Sequence, residues 1–125
     1  MVLHAQQKGK RGEDLFCKWL SDNLQISVRR NHWQSDGHSA DVIVDDFIFE
    51  IKNRESHSLD DYWLQILRAK QGHENPDLIP VVAFKSNRQK WQFLIPAALI
   101  TGINYGYVIA PEKVFIQFAK YVIEG

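Results

Sequence analysis

Two short runs of β-forming residues, separated by only two aspartates, restrict the fold of this chain more than any other feature. Residues 40–44 and 47–53 are rich in valine, isoleucine and phenylalanine, and Asp45 and Asp46 lie between them. Such a pattern predicts a tight antiparallel hairpin in which Val44 pairs with Phe47. Each step away from the turn then pairs one more residue, and Asp41 lies opposite Glu50. A symmetric four-residue loop would keep this pairing, whereas a three-residue loop would shift it.

This register would bring two carboxylates together. Directly opposed residues point to the same face with Cβ atoms about 4.5–5.5 Å apart, and Lys52, two residues after Glu50, shares that face. Two negative charges this close are unfavourable without a proton or a cation, and a hard divalent ion prefers carboxylate oxygens. In the alternative, Asp41 only ends a strand, and Glu50 and Lys52 form an ordinary pair on a wet sheet face. The large apolar neighbours on the second strand favour burial and therefore the metal site.

The remaining pattern predicts an α/β fold in the order α-β-β-β-α-β-β-α, with a mixed central β-sheet flanked by helices. Helical spacing predicts helices over residues 10–23, over residues 59–71 with Ser58 as a capping residue and a left-handed Gly72 at the end, and from Pro111 onward. Further strands are predicted over residues 26–30, 81–85 and 91–95, and residues 97–110 are ambiguous between a helical turn and a strand.

Length and composition indicate one domain over residues 1–125, with 45% hydrophobic residues available for a core. The chain has no apolar stretch near the ~20 residues that cross a bilayer. Residues 1–11 show no apolar segment typical of a secretory signal. The one cysteine, Cys17, suits a small buried position in a reducing compartment. We therefore expect a cytoplasmic protein. Fifteen basic and fifteen acidic residues cancel, so any site for a polyanion has to be local.

Glu13 is a third candidate carboxylate. It lies three and four residues before Phe16 and Cys17, on the apolar stripe of the first predicted helix, and therefore leans toward the core, whereas Asp14 points elsewhere. The alternative is an acid in the first helical turn that interacts favourably with the helix dipole.

Four motifs occur in a characteristic order: residues 9–13 (GKRGE), 28–30 (VRR), 39–44 (SADVIV) and 49–52 (FEIK). Together they resemble the PD-(D/E)xK nuclease superfamily, and within it the archaeal-type Holliday junction resolvases, over roughly residues 8–95. Ala40 stands where the family has proline, and the net charge is lower than such enzymes usually show. The resemblance implies a restriction-endonuclease-like core.

The resemblance also implies a mechanism. Asp41 and Glu50 would ligate Mg²⁺, for which Mn²⁺ should substitute, together with the backbone carbonyl of Ile51. Glu13 would act through the metal or its water, and Lys52 would orient and help deprotonate the attacking water. The products would be a 5′-phosphate and a 3′-hydroxyl. Gln65 is a further candidate near the site, with a solvated helix residue as its alternative.

We expect a DNA substrate, branched or four-way, and a homodimer, because symmetric cutting of a junction needs two sites related by a two-fold axis. Other PD-(D/E)xK activities, such as nicking, end trimming or defence, are alternatives; a non-enzymatic DNA-binding module is disfavoured by the intact set of site residues. Candidate phosphate contacts, for which a solvated face is the alternative, are Lys8, Arg11, Arg29 and Arg30. The resemblance also matches Ser35, in the polar loop before Asp41, to a family serine at the edge of the active site and so to a DNA contact. Candidate dimer residues, for which core burial is the alternative, are Tyr62, Trp63, Leu67, Phe115 and Phe118.

Overall fold

The computed structural model describes residues 2–26 and 42–125, with side chains from residue 12 onward in the first helix. The elements in this part of the chain are α1 (Val2–Leu24), β1 (Val42–Val44), β2 (Phe47–Asn53), α2 (Leu59–Gln71), β3 (Ile79–Lys85), β4 (Gln92–Pro96), α3 (Ala97–Thr101), β5 (Tyr107–Pro111) and α4 (Glu112–Glu124). No described helix combines the length and the apolar character that a membrane crossing requires.

The predicted hairpin register is confirmed for the described residues. Val44 pairs with Phe47 and Val42 pairs with Phe49 across an antiparallel β1–β2 ladder. The turn is the two-residue Asp45–Asp46 connection, in which Asp45 adopts a left-handed φ of 52° that aspartate tolerates better than most residues. Asp41 itself lies outside the described residues.

The five strands form one mixed sheet in the order β1-β2-β3-β4-β5. β2 and β3 run parallel and are connected through α2, whereas the other neighbouring pairs are antiparallel. Asn53 pairs with Lys85, so the carboxyl ends of β2 and β3 lie at the same edge of the sheet. Ligand sites in sheets with parallel strands commonly form at such an edge.

Both faces of the sheet are covered, as the sequence predicts. Alternation along β2 points Phe47, Phe49 and Ile51 to one core, which also includes residues of α1 and α4, and points Ile48 to a second core with α2. In the first core the rings of Phe93 and Phe115 stack with centroids 4.0 Å apart. β2 is therefore buried on both sides.

Several helix boundaries differ from the prediction. α1 begins at Val2 rather than at residue 10, and Pro111 ends β5 so that α4 begins at Glu112. Gly72 closes α2 with a right-handed φ of −82°, not the left-handed conformation that the sequence predicts. Ser58 makes no side-chain hydrogen bond to the backbone of α2; its hydroxyl instead donates to Asp61 Oδ2 at 2.7 Å.

Three further predictions concern residues 97–110, the strand over residues 26–30 and the candidate dimer residues. The ambiguous residues 97–110 contain both a short helix, α3, and most of strand β5. Of the strand predicted over residues 26–30, Ile26 lies in a bend and the remainder is outside the described residues. Among the candidate dimer residues, Tyr62, Trp63 and Phe115 are buried in the cores and Phe118 packs against one of them, whereas Leu67 is 37% exposed.

Candidate functional site

The centre of the site is a buried ion pair on β2. Lys52 Nζ lies 3.3 Å from Glu50 Oε1, and the two side chains are only 9% and 8% exposed. They share the α2 side of the sheet because residues two apart on a strand point the same way. Buried charges are expensive unless they are paired. The pair is therefore not the ordinary exposed one that the sequence left open as an alternative.

A polar cavity of about 410 Å³ opens beside Lys52 between β2 and the start of α2. The Lys52 ammonium lies 5.4 Å from the ring centroid of Tyr62, and the Arg54 guanidinium lies 5.9 Å from the same ring. Gln65 is exposed on α2 and lines the same cavity. The structure therefore brings Gln65 into the surroundings of Lys52, as expected from its position on the helix.

His57 forms one wall of this cavity and is held at both ring nitrogens. Nδ1 lies 3.0 Å from the Tyr62 hydroxyl, and Nε2 lies 3.2 Å from Ser86 Oγ. Burial lowers the pKa of His57 below its usual 6.5, and the nearby Arg54 charge adds to this effect. No sequence pattern points to His57, because its partner Ser86 is 29 residues away and no local spacing reveals the contact.

Glu13 lies on α1 beside the end of β2. The preceding Gly12 is so close to Asn53 that a Cβ at residue 12 would come within 3.0 Å of the Asn53 Cβ. Glu13 is partly buried and Asp14 is exposed, as predicted, and Cys17 is buried. The contact at Gly12 therefore places this turn of α1 beside the strand end that follows Lys52.

The described residues alone do not complete a metal centre. Among the described side chains, those of residues 12–26 and 42–125, no group of three or more His, Cys, Asp or Glu is arranged to hold a metal ion. Ile51, whose carbonyl is a predicted ligand, is a buried residue of β2. Several predicted site residues lie outside the part of the chain that the structure describes. They are the ligand Asp41, the DNA contacts Arg29, Arg30 and Ser35, and the side chains of Lys8 and Arg11 in α1.

A protein-family model matches most of the chain. The model described as phage putative PDDEXK endonuclease matches residues 4–121. Curated proteins gave no match, and neither did solved structures. The match includes α1, the β1–β2 hairpin, α2 and the strands that follow, so it covers the whole arrangement around Glu50 and Lys52.

Proposed function

The chain belongs to the phage putative PDDEXK endonuclease family, and on that premise we propose that it is a metal-dependent endonuclease that hydrolyses phosphodiester bonds in DNA. It is a nuclease of the PD-(D/E)xK type. The observation that most supports the metal-dependent mechanism is the Glu50–Lys52 pair, which is buried on a central strand at 3.3 Å. Apolar residues at these two positions would stabilise the sheet at least as well, so stability alone does not account for the ion pair.

The hairpin register supports Asp41 as the partner of Glu50. Val42 pairs with Phe49, and the predicted register, continued by one step beyond the described ladder, would pair Asp41 with Glu50. Carboxylate oxygens are the ligands that Mg²⁺ prefers, so the donor set fits a hard divalent cation. We propose that Asp41, Glu50 and the Ile51 carbonyl hold this cation, with Glu13 acting through it or its water.

Each residue then has a distinct role in hydrolysis. When bound, the cation polarises the phosphate and offsets the charge that builds on its oxygens. Lys52 faces the cavity, and its ammonium orients the attacking water and stabilises the hydroxide that the water becomes. Gln65, across the same cavity, is a positioning residue for that water. Attack on phosphorus with departure of the 3′ oxygen gives a 5′-phosphate and a 3′-hydroxyl.

We further propose that the substrate is branched DNA, cut by a homodimer in the manner of a Holliday junction resolvase. A formal net charge of zero gives little long-range attraction for duplex DNA. Selection then depends on a few local contacts, and a junction allows two subunits to engage two arms at once, which multiplies affinity without new contacts on either subunit.

The test is a cleavage assay on a four-way junction, a linear duplex and single strands of the same sequence, with Mg²⁺, Mn²⁺ or a chelator. We expect junction cleavage with either metal and none with the chelator, and light scattering should give the mass of a dimer. Equal cleavage of junction and duplex by a monomer would reject the junction-resolving activity and leave the nuclease. Cleavage in the chelator would reject the metal-dependent mechanism.

A further inference from the structure

A second cavity, of about 510 Å³, lies at the same sheet edge as the Lys52 cavity. It is formed by the end of β3, the turn into β4 and the start of α4, and we call it the β3–β4 groove. Its charged lining residues are Lys85, Arg88, Lys90 and Glu112. Three cationic side chains therefore face one carboxylate, in a chain whose formal net charge is zero. No sequence motif singles out these residues.

The turn from β3 to β4 presents two of these cations to solvent. Arg88 and Lys90 are both exposed. Arg88 has a left-handed φ of 64°, which is uncommon for a residue with a side chain, and the turn is closed by a hydrogen bond from Gln89 N–H to the Ser86 carbonyl at 3.1 Å.

The walls of the groove are fixed by packing. The Lys85 ammonium lies 5.6 Å from the ring centroid of Trp91, which is buried. The one acid, Glu112, accepts a hydrogen bond from the Trp91 backbone N–H at 2.9 Å. This hydrogen bond fixes the position of the Glu112 carboxylate, and the three cations of the lining still outnumber this one acid.

The two cavities meet at His57, which lines both of them. Ser86, at the start of the β3–β4 turn, contacts His57 Nε2 at 3.2 Å. A polymer seated beside Lys52 can therefore continue past His57 into the β3–β4 groove. A mononucleotide or a free phosphate would occupy only one of the two cavities, whereas one DNA strand carries a charge about every 3.4 Å along the helix axis.

We propose that the β3–β4 groove binds the phosphate backbone of the DNA strand next to the bond that is cut at the Glu50–Lys52 site. Arg88 offers a planar fork for phosphate oxygens, and Lys85 and Lys90 act as point charges. Such contacts position a strand without reading its bases. This assignment rests on the proposed nuclease function and adds residues that are distant in sequence from the predicted contacts in the first third of the chain.

The test compares two charge-matched double variants. Arg88→Gln/Lys90→Gln removes two cations of the groove, and Lys18→Gln/Lys120→Gln removes two exposed cations on α1 and α4. Binding of a labelled duplex and a labelled junction is followed by fluorescence anisotropy in EDTA, between 50 and 200 mM KCl, which are roughly the ionic strengths over which phosphate contacts are lost. All four substituted side chains are exposed, so the fold should survive, and circular dichroism checks this.

For the groove variant, the plot of log affinity against log salt concentration should become less steep. Its slope should change by about 0.9 for each lost phosphate contact, or by about 1.8 for the two together. Its affinity at 0.1 M salt should fall by up to about 60-fold, because each lost contact is worth about eightfold there. The control should keep the wild-type slope.

The outcomes separate this inference from the proposed function. An unchanged salt slope in the groove variant, alongside a wild type that cleaves DNA, overturns the groove and leaves the nuclease. A reduced slope alongside a wild type that binds but does not cleave supports the groove and overturns the endonuclease. A wild type that neither binds nor cleaves overturns both. A groove variant with normal binding but a lower rate at saturation would also overturn the groove as a binding surface.

Discussion

Replacing Lys52 with methionine should destabilise the fold by an amount that only a buried ion pair can explain. Methionine keeps much of the length of the lysine side chain and removes its charge. The substitution leaves the Glu50 carboxylate, whose side chain is 8% exposed, without the ammonium that lies 3.3 Å away. Exposed pairs contribute only about 0–1 kcal/mol, so burial decides how large the effect is.

The expected magnitude follows from the geometry. At the 3.3 Å separation of Nζ and Oε1, Coulomb's law with an effective dielectric constant of about 20 gives roughly 5 kcal/mol of attraction. Measured losses on removing one partner of a buried pair are about 3–5 kcal/mol. We therefore expect Lys52→Met to lower the free energy of unfolding by about 3 kcal/mol or more. Removing both charges, in Glu50→Gln/Lys52→Met, should cost less than the single substitution.

The assay is urea unfolding of the wild type, both single variants and the double variant, first in EDTA and then in MgCl₂. The coupling energy from this cycle isolates the pair from the effects of each substitution alone. If Glu50 holds a cation, magnesium at about 100 times its dissociation constant should raise the free energy of unfolding of Lys52→Met by roughly 2.7 kcal/mol. The same magnesium concentration should hardly change the free energy of unfolding of Glu50→Gln, because this variant lacks the charged ligand.

Two results would refute this reasoning. A loss below about 1 kcal/mol in Lys52→Met would show that the pair behaves as if it were exposed. Equal stabilisation of Lys52→Met and Glu50→Gln by magnesium would show that the cation binds elsewhere.

Three further predictions concern α1 and the cavity wall. Gly12→Ala should lower the free energy of unfolding, because the Asn53 Cβ at 3.0 Å belongs to a residue held in the β2–β3 ladder and cannot move away cheaply. Overpacking then costs up to about 3 kcal/mol, against a gain in helix propensity of at most about 1 kcal/mol. Gly72→Ala, whose Cβ would meet only an ordinary 3.5 Å contact, is the control in the same urea titration. His57 has a pKa below 6.5 in the fold, so the unfolded chain takes up a proton first as the pH falls through 6.5. The wild type should therefore lose more stability between about pH 7.5 and pH 5.5 than His57→Gln does, and equal losses in urea unfolding at the two pH values would contradict this. Glu13→Ala should slow single-turnover cleavage less than Glu50→Gln does, and complete inactivation would instead make Glu13 a direct metal ligand.

Local patterns in the sequence predict the parts of the fold that depend on neighbours in the chain. The β1–β2 register follows from a two-residue turn between apolar runs, and α2 spans the residues that helical spacing indicates. Burial of Glu50 and Lys52 also follows, because the residues between and before them on β2 are large and apolar. These features need no knowledge of distant contacts.

Other features depend on contacts between distant segments. The sequence predicts too late a start for α1, because two glycines lower the helix propensity near residue 10. Gly12 is nevertheless helical, and its lack of a side chain allows the close approach to Asn53. The β3–β4 groove and the contact between His57 and Ser86 arise because the parallel β2–β3 register brings two strand ends to one edge. A neutral total charge gives no indication of this local basic surface.

The most direct test of the proposed centre is single-turnover cleavage of end-labelled DNA in Mg²⁺ by the wild type, Glu50→Gln and the control Glu74→Gln, with DNA binding measured on the same samples. Glu74 is exposed in the loop after α2, so its substitution removes the same charge away from the site. We predict that Glu50→Gln binds DNA at least as tightly as the wild type and does not cleave it, while Glu74→Gln cleaves normally. Cleavage by folded Glu50→Gln at the wild-type rate would contradict the assignment of the catalytic centre to β2.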